Sequence, residues 1–490
     1  MANKVSTQRE VNGAVELLED VSYSSIYNED LAPTKLAQRT WGTYNYAALW
    51  IGMCHCIPTY MLAGGLIALG MDWKQALLTI TLGNLIVLLP MLLNGHPGAK
   101  YGIPFPVFAR ASFGALGANI PAMARAVVAC GWFGINTFVG GNAISLLISA
   151  VFPSFAKIGG GATIAGLGIP AAIGFMIFWC FEMWIVYKGM DTLRIFENWA
   201  APAVMVLGFV LVIYMVIAAK GFGPMMAEPS KFKDFGSFFK VFIPALTGMV
   251  GFWATLSLNI PDFTRFARSQ REQAIGQAIG LPPTMLVFSA MGVIVTSASA
   301  ILYGKMIWDP GEVISHFTNP IVLLVGFFGI VVASLSVNVA ANLVSPSNDF
   351  SNLWPKKISF KLGGLITGII GILIMPWKLL ADPSGYIFNW LGTYSGLLGP
   401  IAGVIIADYW IVKNKTLNLK DLYLIEGEYK YSGGYNIKAI IALAAGIFVA
   451  LIGKVVPPLH ILFDYAWFIG FGVAFFLYWA IMPKPEVKKA

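Results

Sequence analysis

Residues 44–70 read YNYAALWIGMCHCIPTYMLAGGLIALG, a run without one Asp, Glu, Lys or Arg. An α-helix needs about 20 apolar residues to cross the hydrocarbon core of a bilayer, so this run is long enough to span. Near its middle stand Cys56, Ile57 and Pro58. Proline removes a backbone donor and interrupts a helix. A second apolar run, 241–261, carries Thr247, Gly248, Gly251 and Phe252 near its middle. These two stretches set the expected fold class: an all-α polytopic membrane protein in which two helices are broken.

Composition points the same way. Hydrophobic residues fill 57% of the 490 positions and charged residues 11%, against roughly 25% charged in a soluble domain. The apolar runs predict twelve spans: 44–70, 75–95, 126–152, 164–187, 198–219, 241–261, 278–304, 317–346, 362–377, 386–412, 439–453 and 459–482. The first 43 residues are polar and show no short apolar stretch with a cleavage site, so no secretory signal is expected. Cys54, Cys56, Cys130 and Cys180 all lie in apolar runs and form no disulfide framework.

An even count puts both termini on one side. Of the 32 Lys and Arg residues, 23 then fall on the side of the termini. Basic residues favour the cytoplasmic side, so both ends are expected in the cytoplasm of a cell-membrane protein. The net charge of +8 is thereby a topology signal and not a nucleic-acid-binding patch.

The two interruptions lie five spans apart. Breaks at corresponding positions of two five-helix halves point to a binding site at mid-bilayer between inverted repeats. The plainer reading is that Gly and Pro are common in membrane helices. The expected organisation is an N-terminal segment 1–43, a first repeat 44–219, a second repeat 241–412, two additional helices 439–482 and a tail 483–490.

Polar groups inside the spans mark candidate sites. Trp132 and Asn136 are four apart and share a helix face. Together they suit a flat polar ligand, or else an interface Trp beside an inter-helix amide bond. Ser334, Asn338 and Asn342 form a stripe at four-residue steps. Such a stripe faces the bundle or a water-filled cavity, as ligand groups or as packing glue. Trp253 follows the sixth-span break, where a membrane Trp is also commonly an interface residue. His55 sits at the first break, as a functional group or a buried neutral imidazole. Glu182 lies six residues before Lys188 and is expected near the cytoplasmic interface. Asp262, close to Arg265 and Arg268, is expected in an ion pair at the membrane edge. Cys54, His55 and Cys56 point in different directions on a helix, so no metal site is expected. No Gly-x-Ser-x-Gly elbow, His-Glu-x-x-His or Walker loop is present, which disfavours hydrolase and ATP-driven readings. No catalytic residue is expected.

Several dense segments carry a family resemblance: Arg39–Gly42 (RTWG), Asn94–Pro106 (NGHPGAKYGIPFP), Asn259–Phe266 (NIPDFTRF), Asn338–Pro346 (NVAANLVSP), and Ala407–Trp410 (ADYW) followed by Asp421–Tyr423 (DLY). Over nearly the whole chain the sequence resembles the nucleobase–cation symporters (first family), and within it bacterial allantoin permeases and their uracil-transporting relatives. The resemblance implies a LeuT-like fold of two inverted five-helix repeats plus two extra helices. It implies planar ureide or nucleobase substrates such as allantoin, uracil, hydantoin or cytosine. By motif position Trp132 and Trp253 match the two stacking indoles, and Asn342 the amide that binds substrate. Asn136 stands where the family has Gln or Glu, and Cys56 where it often has Gln or Asn. Phe252 adjoins this set. The family's sodium site implies carbonyls of Gly52, His55 and Ala333 with two hydroxyls. Here Ser336 supplies one, and Val337 lacks the other.

The expectation is therefore a secondary active importer, not an enzyme. It works as a monomer in the bilayer, without a cofactor, with H+ or Na+ as coupling ion. The loss of one sodium ligand leans it toward protons. The readings set against it are a small amine or amino-acid carrier of the same fold, a membrane enzyme acting on ureides, and a passive channel.

Overall fold

The computed structural model describes residues 8–188, 205–222 and 229–483. Its helices fall where the apolar runs are. The first expected span is a broken pair, α1 (Thr43–Cys54) and α2 (Ile57–Ala68), bent by 58°. Pro58 occupies the first turn of α2, where a missing N–H costs nothing. α3 (Trp73–Tyr101) follows, then the short α4 (Phe105–Phe113) and the long α5 (Asn119–Val151). α6 is Ile169–Lys188 and α7 is Met205–Ala218. The start of the fifth expected span, 198–204, lies outside the described residues.

The same order then recurs. A broken helix, α8 (Phe235–Phe252) with α9 (Ala254–Asn259) and α10 (Pro261–Thr264), precedes the long α11 (Gln270–Tyr303). The short α12 (Pro310–Ser315) leads to α13 (Pro320–Val337) and α14 (Val344–Leu353), joined by a π-helical turn at 338–343. α15 is Phe360–Leu373, with a short helical turn α16 at Pro376–Leu379, and α17 is Gly392–Ile406, flanked by π turns at 385–391 and 407–412. Packing is reciprocal between the halves. α1 and α2 lie on α11, α8 and α9 lie on α3, and α5 lies on α13 and α14.

Among the described residues, eight helices are long and apolar enough to cross a membrane, or up to ten when each bent pair is one span. The two shorter apolar helices α7 and α15 occupy the other expected positions. The expected twelfth span is not a straight rod. α18 (Ile437–Leu451) leads to α19 (His460–Asp464), and the chain then turns by 82° at Tyr465 into α20 (Ala466–Ile481). Thr247 Oγ1 donates to the carbonyl of Asp464 at this corner (2.5 Å), which satisfies a group that lipid would leave unpaired.

Close approach of helices relies on glycine. A Cβ on Gly371 would stand 2.8 Å from Phe133 Cδ1 and 3.3 Å from the Cys130 carbonyl, so α15 meets α5 only because that position is bare.

Among the described residues, segments expected on one side contact one another. The N-terminal hairpin, β1 (Gln8–Val11) and β2 (Ala14–Leu17), is held through Arg39. Arg39 donates to the carbonyls of Val15, Thr34, Ala99 and Lys100, the last two at the end of α3. A cation there complements the helix dipole, although burial pulls the pKa of Arg39 down to about 10. Trp41 pairs with Phe266 and Arg268, and Lys100 with the Lys415 carbonyl.

Asp262 departs from its expected ion pair. Its Oδ1 accepts the Phe105 backbone N–H at the start of α4 (2.8 Å), while Arg268 pairs with Glu272 and Arg265 donates to the Asp30 carbonyl. A helix N-terminus offers unpaired N–H groups and a favourable dipole, and it takes the carboxylate. The deeply buried ion pair is instead Arg125 with Asp349 (2.8 Å), joining α5 to α14. Asp349→Ala is expected to destabilise the protein by about 3–5 kcal/mol, because it strands a buried guanidinium. Thermal unfolding in detergent checks this, and an unchanged midpoint would contradict it.

Candidate substrate site

The two breaks face each other across a small cavity. At the first, the backbone leaves helical geometry at His55 (ψ 53°) and Cys56 (φ −115°, ψ 150°). At the second, Trp253 (φ −104°, ψ 9°) separates α8 from α9. The cavity is lined by Cys56, Pro58, Trp132, Asn136, Phe252, Trp253, Thr255, Leu256, Val337, Ala341 and Asn342. All six residues expected to meet substrate thus stand around one space.

Its polar inventory is small. Asn136 Nδ2 donates to the Trp132 carbonyl one turn back (3.2 Å), and its buried Oδ1 has no partner among the described residues. The same holds for the buried Trp253 Nε1. Asn342 Nδ2 donates to Asn338 Oδ1 (2.9 Å), and no described residue donates to its own Oδ1. Cys56 Sγ shares a hydrogen bond with Thr59 Oγ1 (3.1 Å). An unpaired buried polar group costs about 1–3 kcal/mol, so the indole donor of Trp253 and the amide acceptor of Asn136 await complementary groups.

The two indoles do not face each other as open walls. The Phe252 ring packs edge-on against Trp132 (centroids 5.1 Å, 78°) and against Trp253 (4.9 Å, 89°). The free space is about 20 Å³, room for about one water. Phe252 thus fills part of the space beside the two indoles.

The tenth expected span contributes residues that the sequence reading did not single out. Tyr394 OH donates to the Gly251 carbonyl at the second break (2.9 Å) and accepts from Trp132 Nε1 (3.2 Å). Tyr386 OH donates to the Pro58 carbonyl beside the first break (3.3 Å). Trp390 also packs edge-on against Trp132. Tyr386, Trp390 and Tyr394 are spaced by four, a signal that was legible as one aromatic face. Gly251 is required here, because a Cβ would collide with Ser395 Oγ.

The candidate cation ligands are divided between two elements that touch. Gly52 and His55 lie at the end of α1, which packs on α13, the carrier of Ala333 and Ser336. His55 turns Nδ1 back to the Ile51 carbonyl and sets its ring edge-on to Phe288 (4.8 Å). Val337, which faces the cavity, offers no oxygen.

With this geometry in hand, residues 33–470 match the family model described as permease for cytosine/purines, uracil, thiamine, allantoin. The chain belongs to that family. It is 43% identical over 455 residues to the allantoin permease of Bacillus subtilis, covering 93% of each chain. It is 42% identical over 473 residues to the purine-uracil permease of Arabidopsis thaliana, covering 94% of this chain and 78% of that one. Among solved structures it resembles Mhp1, a nucleobase-cation-symport-1 family transporter, in a closed conformation with bromovinylhydantoin bound. That likeness has a TM-score of 0.76 at 25% identity, over 93% of this chain and 95% of that chain. The LeuT-like helical fold follows from it, and the chain is a permease, not an enzyme.

In this permease the stripe on the eighth expected span divides its work. Asn342 lines the cavity. Asn338 instead ties helices together, donating to the Phe133 carbonyl (2.9 Å) and to Glu182 Oε1 (2.6 Å). Glu182 is fully buried, not at the interface as expected. It lies on the face of α6 that packs against α5.

Tyr394→Phe is expected to lower stability by about 1–3 kcal/mol, since it leaves Trp132 Nε1 and the Gly251 carbonyl unpaired in a buried site. Thermal melting in detergent reads this, and a wild-type midpoint would show that the hydroxyl holds neither break.

Proposed function

We propose that the protein is a secondary active transporter importing a planar ureide or nucleobase of the allantoin, uracil, hydantoin or cytosine type. The observation that carries this reading is the pairing of unpartnered groups with aromatic walls. A buried indole N–H and a buried amide oxygen, those of Trp253 and Asn136, line one cavity with Trp132 and Phe252. A cyclic ureide or pyrimidine presents a flat face for the rings and alternating C=O and N–H at its edge. The names of the similar permeases favour the same substrate class.

In this reading Phe252 swings aside and the substrate ring enters between Trp132 and Trp253. Each stacked aromatic contributes about 1–3 kcal/mol, by analogy with bases on aromatic side chains. Asn136 and Asn342 accept from substrate N–H groups, Trp253 Nε1 donates to a carbonyl, and Cys56 adds a short, weakly polar wall. No acidic side chain lines the cavity among the described residues, which disfavours an amine ligand. One helix bundle would rock against the other around the site. The bundle end rich in Lys and Arg, with both termini, would face the cytoplasm.

Transport is cation-coupled in this proposal, as the family of the similar Mhp1 structure is named. Gly52, His55, Ala333 and Ser336 are the candidate ligands of a cation between α1 and α13. Val337 removes one oxygen from that set, which supports proton coupling or weak sodium dependence.

Asn342→Ala is expected to weaken binding of labelled uracil or allantoin about tenfold to a hundredfold, equivalent to ~1–3 kcal/mol, at an unchanged level in the membrane. Near-normal uptake with unchanged affinity would remove Asn342 from the site. Uptake should survive replacement of sodium by choline and stop when the pH gradient is dissipated. Dependence on sodium alone would overturn the proton reading.

A further inference from the structure

Glu182 is a carboxyl group in the interior of a membrane helix, and the transport reading above leaves it without a task. It shares its face of α6 with Phe178, Ile185 and Val186, which cluster with Phe133, Leu335 and Leu343 of the neighbouring helices. Two side chains meet its oxygens, Asn338 Nδ2 at Oε1 (2.6 Å) and Thr137 Oγ1 at Oε2 (2.8 Å). Both are neutral. The titratable groups on the elements packed around it are Arg125 and Cys130 on α5, Cys180, Tyr187 and Lys188 on α6, Asp349 on α14 and Lys361 on α15. Arg125 is taken by Asp349. Lys188 lies over Trp184 and Lys361 over Tyr187. None of these groups forms an ion pair with Glu182 among the described residues.

Burial decides which form fits. Thr137 Oγ1 stands 2.8 Å from the Phe133 carbonyl and 2.8 Å from Glu182 Oε2. The Phe133 carbonyl also accepts from Asn338 Nδ2, so the single hydroxyl proton can serve either form. An ionised carboxylate would hold a charge without a cationic partner against apolar side chains, at large cost. A neutral carboxylic acid avoids that cost, its O–H donating to Thr137 and Thr137 donating to Phe133. An ionisable group inside a membrane bundle is in general a candidate for proton relay.

The other side of this network reaches the substrate cavity. Asn338 gives its amide protons to Glu182 and Phe133, and its Oδ1 accepts from Asn342, which lines the cavity. Both asparagines sit on the π turn at 338–343, an irregularity often found at functional sites. Changing the charge on Glu182 changes what Asn338 holds, and through it the orientation of Asn342.

We propose that Glu182 is the proton-carrying group of this transporter, linked to the substrate through Asn338 and Asn342. The proposal rests on the transport reading above. The step is simple. A proton from water on one side bonds to the carboxylate oxygen, substrate binds to the neutral form, and the same proton returns to water on the other side after release. The carboxyl is sealed in the closed state, so exchange belongs to the open states of the cycle.

The test uses the full chain in liposomes, wild type and Glu182→Gln, with uracil and allantoin as probes. Infrared titration should show a carboxylic-acid band that Glu182→Gln lacks. Wild-type affinity should fall as pH rises, by up to about tenfold per pH unit for one linked proton, and Glu182→Gln should be flat. A pH gradient should accumulate labelled probe in the wild type but not in the variant, while counterflow persists in both. A variant with the wild-type pH profile and accumulation overturns the proposal, as does a spectrum with no band lost in the variant. Should the variant fail to fold, proton uptake by the wild type on probe binding decides, and none taken up overturns the idea. If neither probe binds, the substrate reading fails, while the infrared band still decides whether Glu182 holds a titrating proton.

Discussion

In a bilayer, every backbone group freed from a helix must find a partner inside the protein. The site depends on how this constraint is met. Breaking a helix at His55 and Cys56, and again at Trp253, exposes carbonyls that lipid will not accept. The tenth expected span answers with two tyrosines, Tyr386 at the Pro58 carbonyl and Tyr394 at the Gly251 carbonyl. One helix therefore steadies both breaks, and the same Tyr394 hydroxyl orients Trp132. In the proposed function, substrate recognition and backbone satisfaction share an atom.

The same economy governs the polar side chains. Asn338 and Glu182 bind three helices in an apolar region, and Asn342 extends that network into the cavity. A packing contact and a cavity-lining amide are thus one turn apart on one π-helical segment. Aromatic packing closes what the amides open. Phe252 touches both indoles edge-on, and in the proposed function a ring enters as that contact is exchanged for stacking.

Much of this was legible in the chain. The long uncharged runs, the two interruptions and the paired Trp132 and Asn136 follow from periodicity and from what proline and glycine do to helices. Among the described residues, several loops grouped by their basic residues contact one another, as Trp41 does Phe266 and Lys100 does Lys415. Other features were not legible. The four-step spacing of Ser334, Asn338 and Asn342 reads as one stripe, yet a π turn intervenes and sends Asn338 to Glu182 and Asn342 to the cavity. Asp262 reads as an ion-pair partner by its arginine neighbours, yet it takes the N-terminus of a helix 157 positions away in sequence.

The sequence by itself determined that this chain lives in a membrane, where its helices run and which of them must break, because hydropathy and backbone chemistry are local properties. The tertiary structure alone decided which polar atoms remain unpartnered at the cavity, which tyrosines satisfy the breaks, and that Glu182 is sealed against Asn338 and Thr137. Those outcomes depend on groups far apart in the chain competing for the same few donors and acceptors in a medium that offers no water.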